Sequence, residues 1–208
     1  MNIDTYLVTQ GSRSRGRATE DVAAAAIRGG VDVVQLREKG ASARERYHLG
    51  RALREQTRDA DVTFLVNDRV DIAAAVEADG VHLGDEDLPV AAARERLGDD
   101  AVVGRSVSTV EGARRAVQAG ADYLGVGAVY ATDSKDVREE HAEVGPNRVA
   151  AIADAVDVPI VGIGGITPAN APDVIRAGAD GVAVVSAITA ADDPEEATRE
   201  LTTAVENA

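Results

Sequence analysis

Two neighbouring segments of the sequence are followed by acidic residues whose spacing suits a metal site. The segment TFLVN is followed directly by Asp68, and Asp87 lies three residues beyond the next apolar segment, GVHLG. Carboxylates that follow adjacent parallel strands can converge on one hard cation such as Mg2+, which takes oxygen ligands and keeps several waters. We therefore predict Asp68 and Asp87 as metal ligands, although Asp87 is also placed to cap a helix that begins just after it. We expect Asp85 and Glu86 to be solvated loop acids.

Basic residues follow another apolar segment and suit the binding of an anion. In VVQLREK, the alternation of a strand puts Gln35 and Arg37 on the face opposite Val34 and Leu36, and Lys39 follows in the loop. Arg37 and Lys39 would then form a small anion clamp. In the alternative interpretation, Gln35 and Arg37 are a buried pair that fills the centre of a closed barrel.

A glycine pair and a serine late in the chain predict a phosphate site. Gly164 and Gly165 in GIGGITPAN let the backbone approach a ligand before a helix that we expect to open at Pro168, and Val185 and Ser186 end a later apolar segment. Backbone amides after the last two strands of a parallel barrel commonly bind phosphate without a basic side chain. The alternative is that the glycines only relieve crowding in the barrel.

Hydroxyl groups and a lysine add candidates for binding an anionic substrate. Ser106 ends a further apolar segment, and the longest irregular connection, residues 130–146, contains Thr132, Ser134 and Lys135. Such a loop can close over a substrate, although Ser and Thr are also common in turns. The three histidines, His48, His82 and His141, are expected in surface or core positions rather than in catalysis.

Short apolar segments alternate with Ala-rich helical segments along the whole chain and must position these residues. We predict strands at 5–9, 31–37, 63–67, 80–84, 102–106, 123–128, 159–165 and 181–186. We predict helices near 18–28, 43–58, 69–78, 89–97, 110–119, 146–156, 169–177 and 194–206. Eight strand–helix units indicate a single-domain (β/α)8 TIM barrel over residues 1–208, with an open doubly wound parallel sheet as the alternative.

An internal repeat supports the barrel. The segments IRGGVDVVQ, VEADGVHLG, VQAGADYLG and IRAGADGVAV each end a helix and enter a strand, with a glycine at or near the helix end. A glycine there terminates a helix cheaply because it adopts positive φ without steric cost.

Composition limits the function classes. A net charge of −14 opposes nucleic-acid binding over a broad surface, so we predict small phosphorylated molecules rather than nucleic acid as partners. The chain has no cysteine, no segment near 18 continuous apolar residues and no signal-peptide pattern at its start, so we expect a cytoplasmic protein without a membrane partner. The excess of acids with few aromatic residues is typical of an acidic surface from a halophile. The oligomeric state is not indicated.

Read together, QLREK, VND, DGVHLGDED, GRSVS, TDSK, GIGGIT and VVSAI resemble the thiamine phosphate synthase family in order and spacing across nearly the whole chain. That resemblance implies a transferase that couples a pyrimidine methyl diphosphate to a thiazole phosphate, with Mg2+, and releases pyrophosphate. Carried over by position, the pyrimidine diphosphate would contact Gln35, Leu36, Arg37, Glu38, Lys39, Asn67, Ser106 and Lys135. The metal would be bound by Asp68 and Asp87, and the thiazole phosphate by Thr132, Asp133, Ser134, Gly165, Val185 and Ser186.

The resemblance assigns catalysis to charge rather than to a general base. Arg37, Lys39 and Lys135 would stabilise the departing pyrophosphate together with the metal. The family commonly has Thr-x-Thr-Lys where this chain has Thr132, Asp133, Ser134 and Lys135, and often a His where it has Ser108. Two alternatives stay open: a thiazole tautomerase, which needs a base, and a non-catalytic sensor of thiamine-pathway phosphates.

Overall fold

The computed structural model describes residues 1–132 and 145–208 and shows a closed barrel of eight parallel strands. Each strand pairs with its neighbours in chain order, and β8 pairs with β1 to close the barrel. The TIM-barrel prediction is confirmed, and the open doubly wound sheet is wrong.

The strands are β1 (Thr5–Val8), β2 (Val33–Leu36), β3 (Thr63–Asn67), β4 (Gly80–Leu83), β5 (Val102–Val107), β6 (Tyr123–Val126), β7 (Ile160–Ile163) and β8 (Gly181–Val184). The helices are α1 (Thr19–Arg28), α2 (Ala43–Asp59), α3 (Val70–Ala75), α4 (Val90–Leu97), α5 (Val110–Gln118), α6 (Gly145–Ala153), α7 (Ala171–Arg176), α8 (Ser186–Thr189) and α9 (Pro194–Glu206). All eight predicted strands are present, most of them shorter than the apolar segments that predicted them.

Three local features differ from the prediction. A 3-10 turn at Gly11–Arg13 and the short helix α8 were not predicted. The helix expected to open at Pro168 begins at Ala171 instead. The reason is a local turn, in which Asn170 Oδ1 accepts from the Thr167 amide at 2.8 Å and the Asn170 amide donates to the Thr167 carbonyl at 3.1 Å.

The apolar side chains form two cores because successive strand residues point to opposite faces. Val34 and Leu36 point outward and pack in the core between the barrel and the helices. Val33 points inward and packs in a smaller core inside the barrel, together with Tyr6 and Tyr123. The inward face of β2 therefore leads from an apolar interior to the mouth of the barrel.

An aspartate precedes each even-numbered strand and ties it to the strand before. The carboxylates of Asp32, Asp79, Asp122 and Asp180 accept hydrogen bonds of 2.7–2.9 Å from the backbone amides of Thr5, Phe64, Val103 and Ile160. These bonds explain why an aspartate recurs at the same place in each copy of the internal repeat, at the amino end of the barrel. Two residues before it, Gly30, Gly120 and Gly178 have positive φ, but Glu77 takes the same conformation without being glycine.

No helix within the described part of the chain is long and apolar enough to span a membrane.

Candidate active site

Residues predicted from the sequence as site residues gather at the carboxyl end of the barrel. Arg37 and Lys39 follow β2, and Asp68 follows β3. Gly165 follows β7 and Ser186 begins α8 after β8, on the other side of the same mouth. The barrel thus brings residues that are far apart in sequence to one end, where the loops of TIM barrels hold their active sites.

Two carboxyl groups, those of Asp68 and Asp87, lie side by side on one side of the mouth. Burial raises the pKa of Asp68, the Asp87 carboxyl beside it raises that pKa further through a shared hydrogen bond, and Lys39 lowers it. The Lys39 Nζ atom is 3.3 Å from Asp68 Oδ2. Like charges held this close are unfavourable unless a proton or a cation lies between them. The pair therefore fits a divalent cation.

The two carboxylates are too few to hold a metal by themselves. No group of three or more His, Cys, Asp or Glu side chains with metal-binding geometry occurs in residues 1–132 and 145–208. The remaining ligands would have to be water and substrate oxygens. This is the usual arrangement for Mg2+ in enzymes that bind diphosphates, where one or two carboxylates suffice.

The three acids after β4, Asp85 to Asp87, have different surroundings. Asp87 Oδ2 accepts a hydrogen bond from the Gly84 amide at 2.6 Å. The N-cap residue of α4 is Pro89, which has no side-chain cap hydrogen bond, so the helix-cap alternative for Asp87 is wrong. Asp85 and Glu86 are exposed, and Asp85 pairs with Arg105 at 2.8 Å. Asp87 alone of the three acids lies beside Asp68.

Arg37 and Lys39, predicted to form an anion clamp, both lie at the mouth of the barrel. The Arg37 backbone amide donates to Thr9 Oγ1 at 3.0 Å, and the Arg37 side-chain Nη1 lies 3.4 Å from Gln10 Oε1. The Arg37 side chain is half-buried. Lys39 is exposed and reaches Asp68. Lys39 therefore lies beside the carboxylate pair, and Arg37 lies at the same mouth next to Thr9 and Gln10.

Gln35, Leu36 and Glu38, also predicted as ligand contacts, have other partners. Gln35 is 3% exposed and lies inside the barrel, as the alternative interpretation proposed for it, whereas Arg37 does not share that position. The Leu36 side chain packs outward in the core, so only its backbone faces the mouth. The Glu38 carboxylate accepts from the Gly11 amide at 2.9 Å and from Thr19 Oγ1 at 3.0 Å, and so anchors the loop after β1.

A chain of hydrogen bonds, which we call the interior network, runs through the barrel from Gln35 to Ser106. Gln35 Nε2 donates to Tyr6 Oη, which lies 2.9 Å from Tyr123 Oη. Tyr123 Oη is 2.8 Å from His82 Nδ1, and His82 Nε2 is 2.9 Å from Ser106 Oγ. The network links two residues that were predicted to bind the pyrimidine substrate.

One direction of donation satisfies every member of the interior network. Because Gln35 donates to Tyr6, the Tyr6 hydroxyl can donate to Tyr123 and the Tyr123 hydroxyl to His82 Nδ1. This direction requires the neutral tautomer of His82 with its hydrogen on Nε2, which then donates to Ser106 Oγ. Burial raises the pKa of Tyr6 and of Tyr123, so both phenols keep their hydrogens. Ser106 is left with its own hydroxyl hydrogen to donate.

Two strand glycines make room for the rings of the interior network. A Cβ atom at Gly104 would lie 2.2 Å from the Tyr123 ring, and one at Gly125 would lie 2.9 Å from His82 Cε1. His82 was expected in a surface or core position, and Tyr6 and Tyr123 were not singled out. An inward-facing position in three strands was the available signal.

A cavity of about 390 Å³ lies on the other side of the mouth. It is lined by Arg13, Ala131, Thr132, Gly165, Ile166, Thr167, Ser186 and Ala187. Thr132, Gly165 and Ser186 were predicted to contact one ligand, and the cavity brings them together. Its size lies within the range of small-ligand sites. Arg13 was not predicted.

The glycine pair after β7 is also required by packing. Gly164 has a φ of 105° and Gly165 a φ of 63°. A Cβ atom at Gly165 would lie 2.4 Å from the Ala131 carbonyl oxygen, and one at Gly164 would lie 2.6 Å from Ala128 Cβ. The crowding alternative therefore has structural support, and the cavity wall formed by Gly165 is a second role for the same residue.

The remaining predicted residues fall into two groups. Asn67 is half-buried at the end of β3, and Val185 is half-buried between β8 and α8. Asp133, Ser134 and Lys135 lie outside the described residues.

Comparison with known proteins identifies related sequences over the whole barrel. The family model described as thiamine monophosphate synthase matches residues 5–188. A relative from Haloquadratum walsbyi named thiamine-phosphate synthase is 66% identical over 207 residues, which cover 100% of this chain and 93% of the relative. Another with that name, from Haloarcula marismortui, is 67% identical over 204 residues, which cover 98% of this chain and 97% of the relative.

A solved structure agrees with the fold throughout. The thiamine phosphate pyrophosphorylase from Pyrococcus furiosus superposes with a TM-score of 0.90 at 39% identity, and the match covers 99% of this chain and 97% of that protein.

Proposed function

The chain belongs to the thiamine monophosphate synthase family and is a transferase of thiamine biosynthesis, and we propose that it joins a pyrimidine methyl diphosphate to a thiazole phosphate. The products are thiamine phosphate and pyrophosphate. The observation that carries the proposal is that one end of the barrel has two separate regions suited to anions. In one region, Lys39 contacts the Asp68–Asp87 pair and Arg37 lies at the same mouth. The other region is the cavity across the mouth.

In the proposed reaction, the bond between the pyrimidine methyl carbon and the diphosphate oxygen breaks, and its electron pair leaves with pyrophosphate. The thiazole nitrogen gives its lone pair to the resulting electron-poor methyl carbon and forms the new C–N bond. No proton has to be removed. The reaction therefore depends on positioning and on stabilisation of charge rather than on a general base.

Basic side chains would stabilise the departing pyrophosphate. Arg37 offers a planar fork of donors and Lys39 a compact ammonium group, and Lys135 is proposed as a third cation. The Lys39 side chain is 58% exposed, so its ion pair with Asp68 is worth only ~0–1 kcal/mol and is readily exchanged for a diphosphate oxygen. Asp68 and Asp87 would hold Mg2+, which when bound supplies positive charge to the diphosphate oxygens.

The interior network supports a role for Ser106 in holding the pyrimidine ring. With His82 donating to its oxygen, Ser106 presents a hydroxyl hydrogen. A pyrimidine ring nitrogen is an acceptor and matches that hydrogen. Gln35, held by Tyr6, and Asn67 at the end of β3 are proposed as further contacts to this substrate.

On the other side of the mouth, the cavity is proposed to hold the thiazole phosphate. Thr132 and Ser186 would supply hydroxyl groups, and Gly165 and Val185 would supply backbone contacts, with Asp133 and Ser134 as further proposed contacts. A thiazole tautomerase would need a base at the thiazole and no diphosphate clamp, so the presence of Arg37, Lys39, Asp68 and Asp87 favours the transferase.

The test is product analysis with purified protein, Mg2+ and the two substrates, each alone and both together. We expect thiamine phosphate and pyrophosphate only when both substrates are present. Isomerisation of a thiazole phosphate in the absence of the pyrimidine diphosphate would instead support the tautomerase. Lack of any product from the pair would contradict the proposal.

A further inference from the structure

We propose that Arg13, in the loop after β1, binds the phosphate group of the thiazole substrate and makes the site specific for the phosphorylated thiazole. The inference rests on the proposed function, because it takes the cavity between the loops of β7 and β8 as the thiazole phosphate site. It adds a cationic side chain to a site whose predicted contacts include no cation.

Charge is the first argument. Among the described residues that line the cavity, Arg13 is the only one with an ionisable side chain. A phosphate monoester carries close to two negative charges near neutral pH, and this chain has a net charge of −14. A local cation would offset the repulsion between this anion and so acidic a protein. A guanidinium group is suited to this because its fork of donors matches phosphate oxygens.

The loop that carries Arg13 is held in place from several directions. The Arg13 amide donates to the Gln10 carbonyl at 2.8 Å within the 3-10 turn, and Thr189 of α8 donates to the Arg13 carbonyl at 3.3 Å. At the start of the turn, the Gly11 amide donates to both Glu38 oxygens at 2.9 Å. Arg13 is thus fixed to α8, which also supplies Ser186 to the cavity, and little loop ordering would be needed on binding.

Two further arginines in the same loop have a different task. Arg15 forms an ion pair with Asp192 and its Nη1 also donates to the Ala190 carbonyl at 3.3 Å, and Arg17 Nη2 donates to the Asp192 carbonyl at 2.8 Å. These contacts tie the loop to the segment after α8, away from the cavity lining. Arg15 is therefore a matched control for Arg13, with the same side chain in the same loop.

The test combines variants of the arginine with ligands that have or lack the phosphate group. Binding is measured by calorimetry for thiazole phosphate and for the unphosphorylated thiazole alcohol, with wild type, Arg13→Gln, Arg13→Lys and Arg15→Gln, at constant ionic strength. Gln keeps most of the side-chain length without charge. We expect Arg13→Gln to weaken binding of thiazole phosphate about tenfold to a hundredfold and to leave binding of the alcohol unchanged. Arg13→Lys should recover part of the loss, and Arg15→Gln should change neither affinity.

Steady-state kinetics gives the second readout. Arg13→Gln should raise KM for thiazole phosphate and leave KM for the pyrimidine diphosphate unchanged. Equal weakening of phosphate and alcohol, or an equal effect of Arg15→Gln, would overturn the assignment, because the loop would then act through packing alone. Unchanged binding in Arg13→Gln while wild type forms thiamine phosphate would overturn it and leave the proposed function intact. If wild type forms no thiamine phosphate, the proposed function fails, and the same calorimetry with inorganic phosphate still tests Arg13 as an anion ligand.

Discussion

Removal of the Tyr123 hydroxyl should destabilise the barrel and weaken binding of one substrate only. This hydroxyl makes two buried hydrogen bonds in the interior network, 2.9 Å to Tyr6 Oη and 2.8 Å to His82 Nδ1. In Tyr123→Phe both partners lose that bond, and each buried polar group left unsatisfied costs about 1–3 kcal/mol. We expect the free energy of unfolding to fall by about 2–6 kcal/mol, which corresponds to a decrease in Tm of about 4–24 °C for a domain of this size.

A double-mutant cycle separates the bond from general packing. Tyr6→Phe should destabilise for the same reason, because it removes the acceptor of Gln35. Since the two hydroxyl groups bond to each other, the double variant should be less destabilised than the sum of the single variants, by about 0.5–3 kcal/mol. Tyr47→Phe is the control, because Tyr47 is exposed on α2 and should change stability little.

The same variants have a functional readout. Loss of the Tyr123 hydroxyl removes the support of His82, and with it the orientation of the Ser106 hydroxyl. We expect KM for the pyrimidine diphosphate to rise, with KM for thiazole phosphate unchanged. Chemical unfolding and steady-state kinetics are the assays. Additive destabilisation within about 0.5 kcal/mol, or an unfolding free energy equal to that of wild type, would refute the interior network.

Four further predictions concern the metal, the backbone, the loop and salt. Asp87→Asn should reduce activity greatly and Glu86→Gln little, and a chelator that leaves the rate unchanged would contradict the metal site. Gly120→Ala should lower the free energy of unfolding by about 1–2 kcal/mol, because φ is 91° there and no atom of the described residues lies near the added methyl group. Glu77→Gly, at a residue that also has positive φ, should not lower it. Equal losses of the two variants in chemical unfolding would contradict this reasoning. Lys135→Ala should lower kcat about a hundredfold with a smaller change in KM, and an effect on KM alone would limit this lysine to substrate recruitment. Tm should rise from low to molar KCl as screening reduces repulsion in a chain of net charge −14, and a flat or falling Tm would contradict the salt adaptation.

The fold could be predicted because its signals are local and repeated. Apolar segments that alternate with Ala-rich ones place strands and helices, and the eightfold count indicates closure. The short helix α8 and the 3-10 turn were not predicted because elements of four and three residues, respectively, are too short to show a hydrophobic period. The turn at Thr167 and Asn170, which delays α7, depends on a side-chain bond that only the folded backbone shows.

The candidate site divides along a similar line. Residues that directly follow strands, such as Asp68 and Arg37, could be placed at the mouth from sequence order alone. The inward direction of Gln35 followed from strand alternation, but its depth in the barrel did not, because its partner Tyr6 comes from β1, which no local pattern links to β2. The position of Arg13 depends on a bond from Gly11 of the same loop to Glu38 and on a bond from Thr189 to the Arg13 carbonyl. Both partners are distant in sequence, so the position could not be derived from neighbouring residues.

The most direct measurement is a crystal structure of the protein with thiamine phosphate, pyrophosphate and Mg2+. It locates both anions independently of any rate. The proposed function predicts pyrophosphate against Arg37 and Lys39, with Mg2+ bound by Asp68 and Asp87. It predicts the thiamine phosphate group in the cavity lined by Arg13 and Ser186. Pyrophosphate in that cavity, or a metal bound away from both carboxylates, would contradict the account.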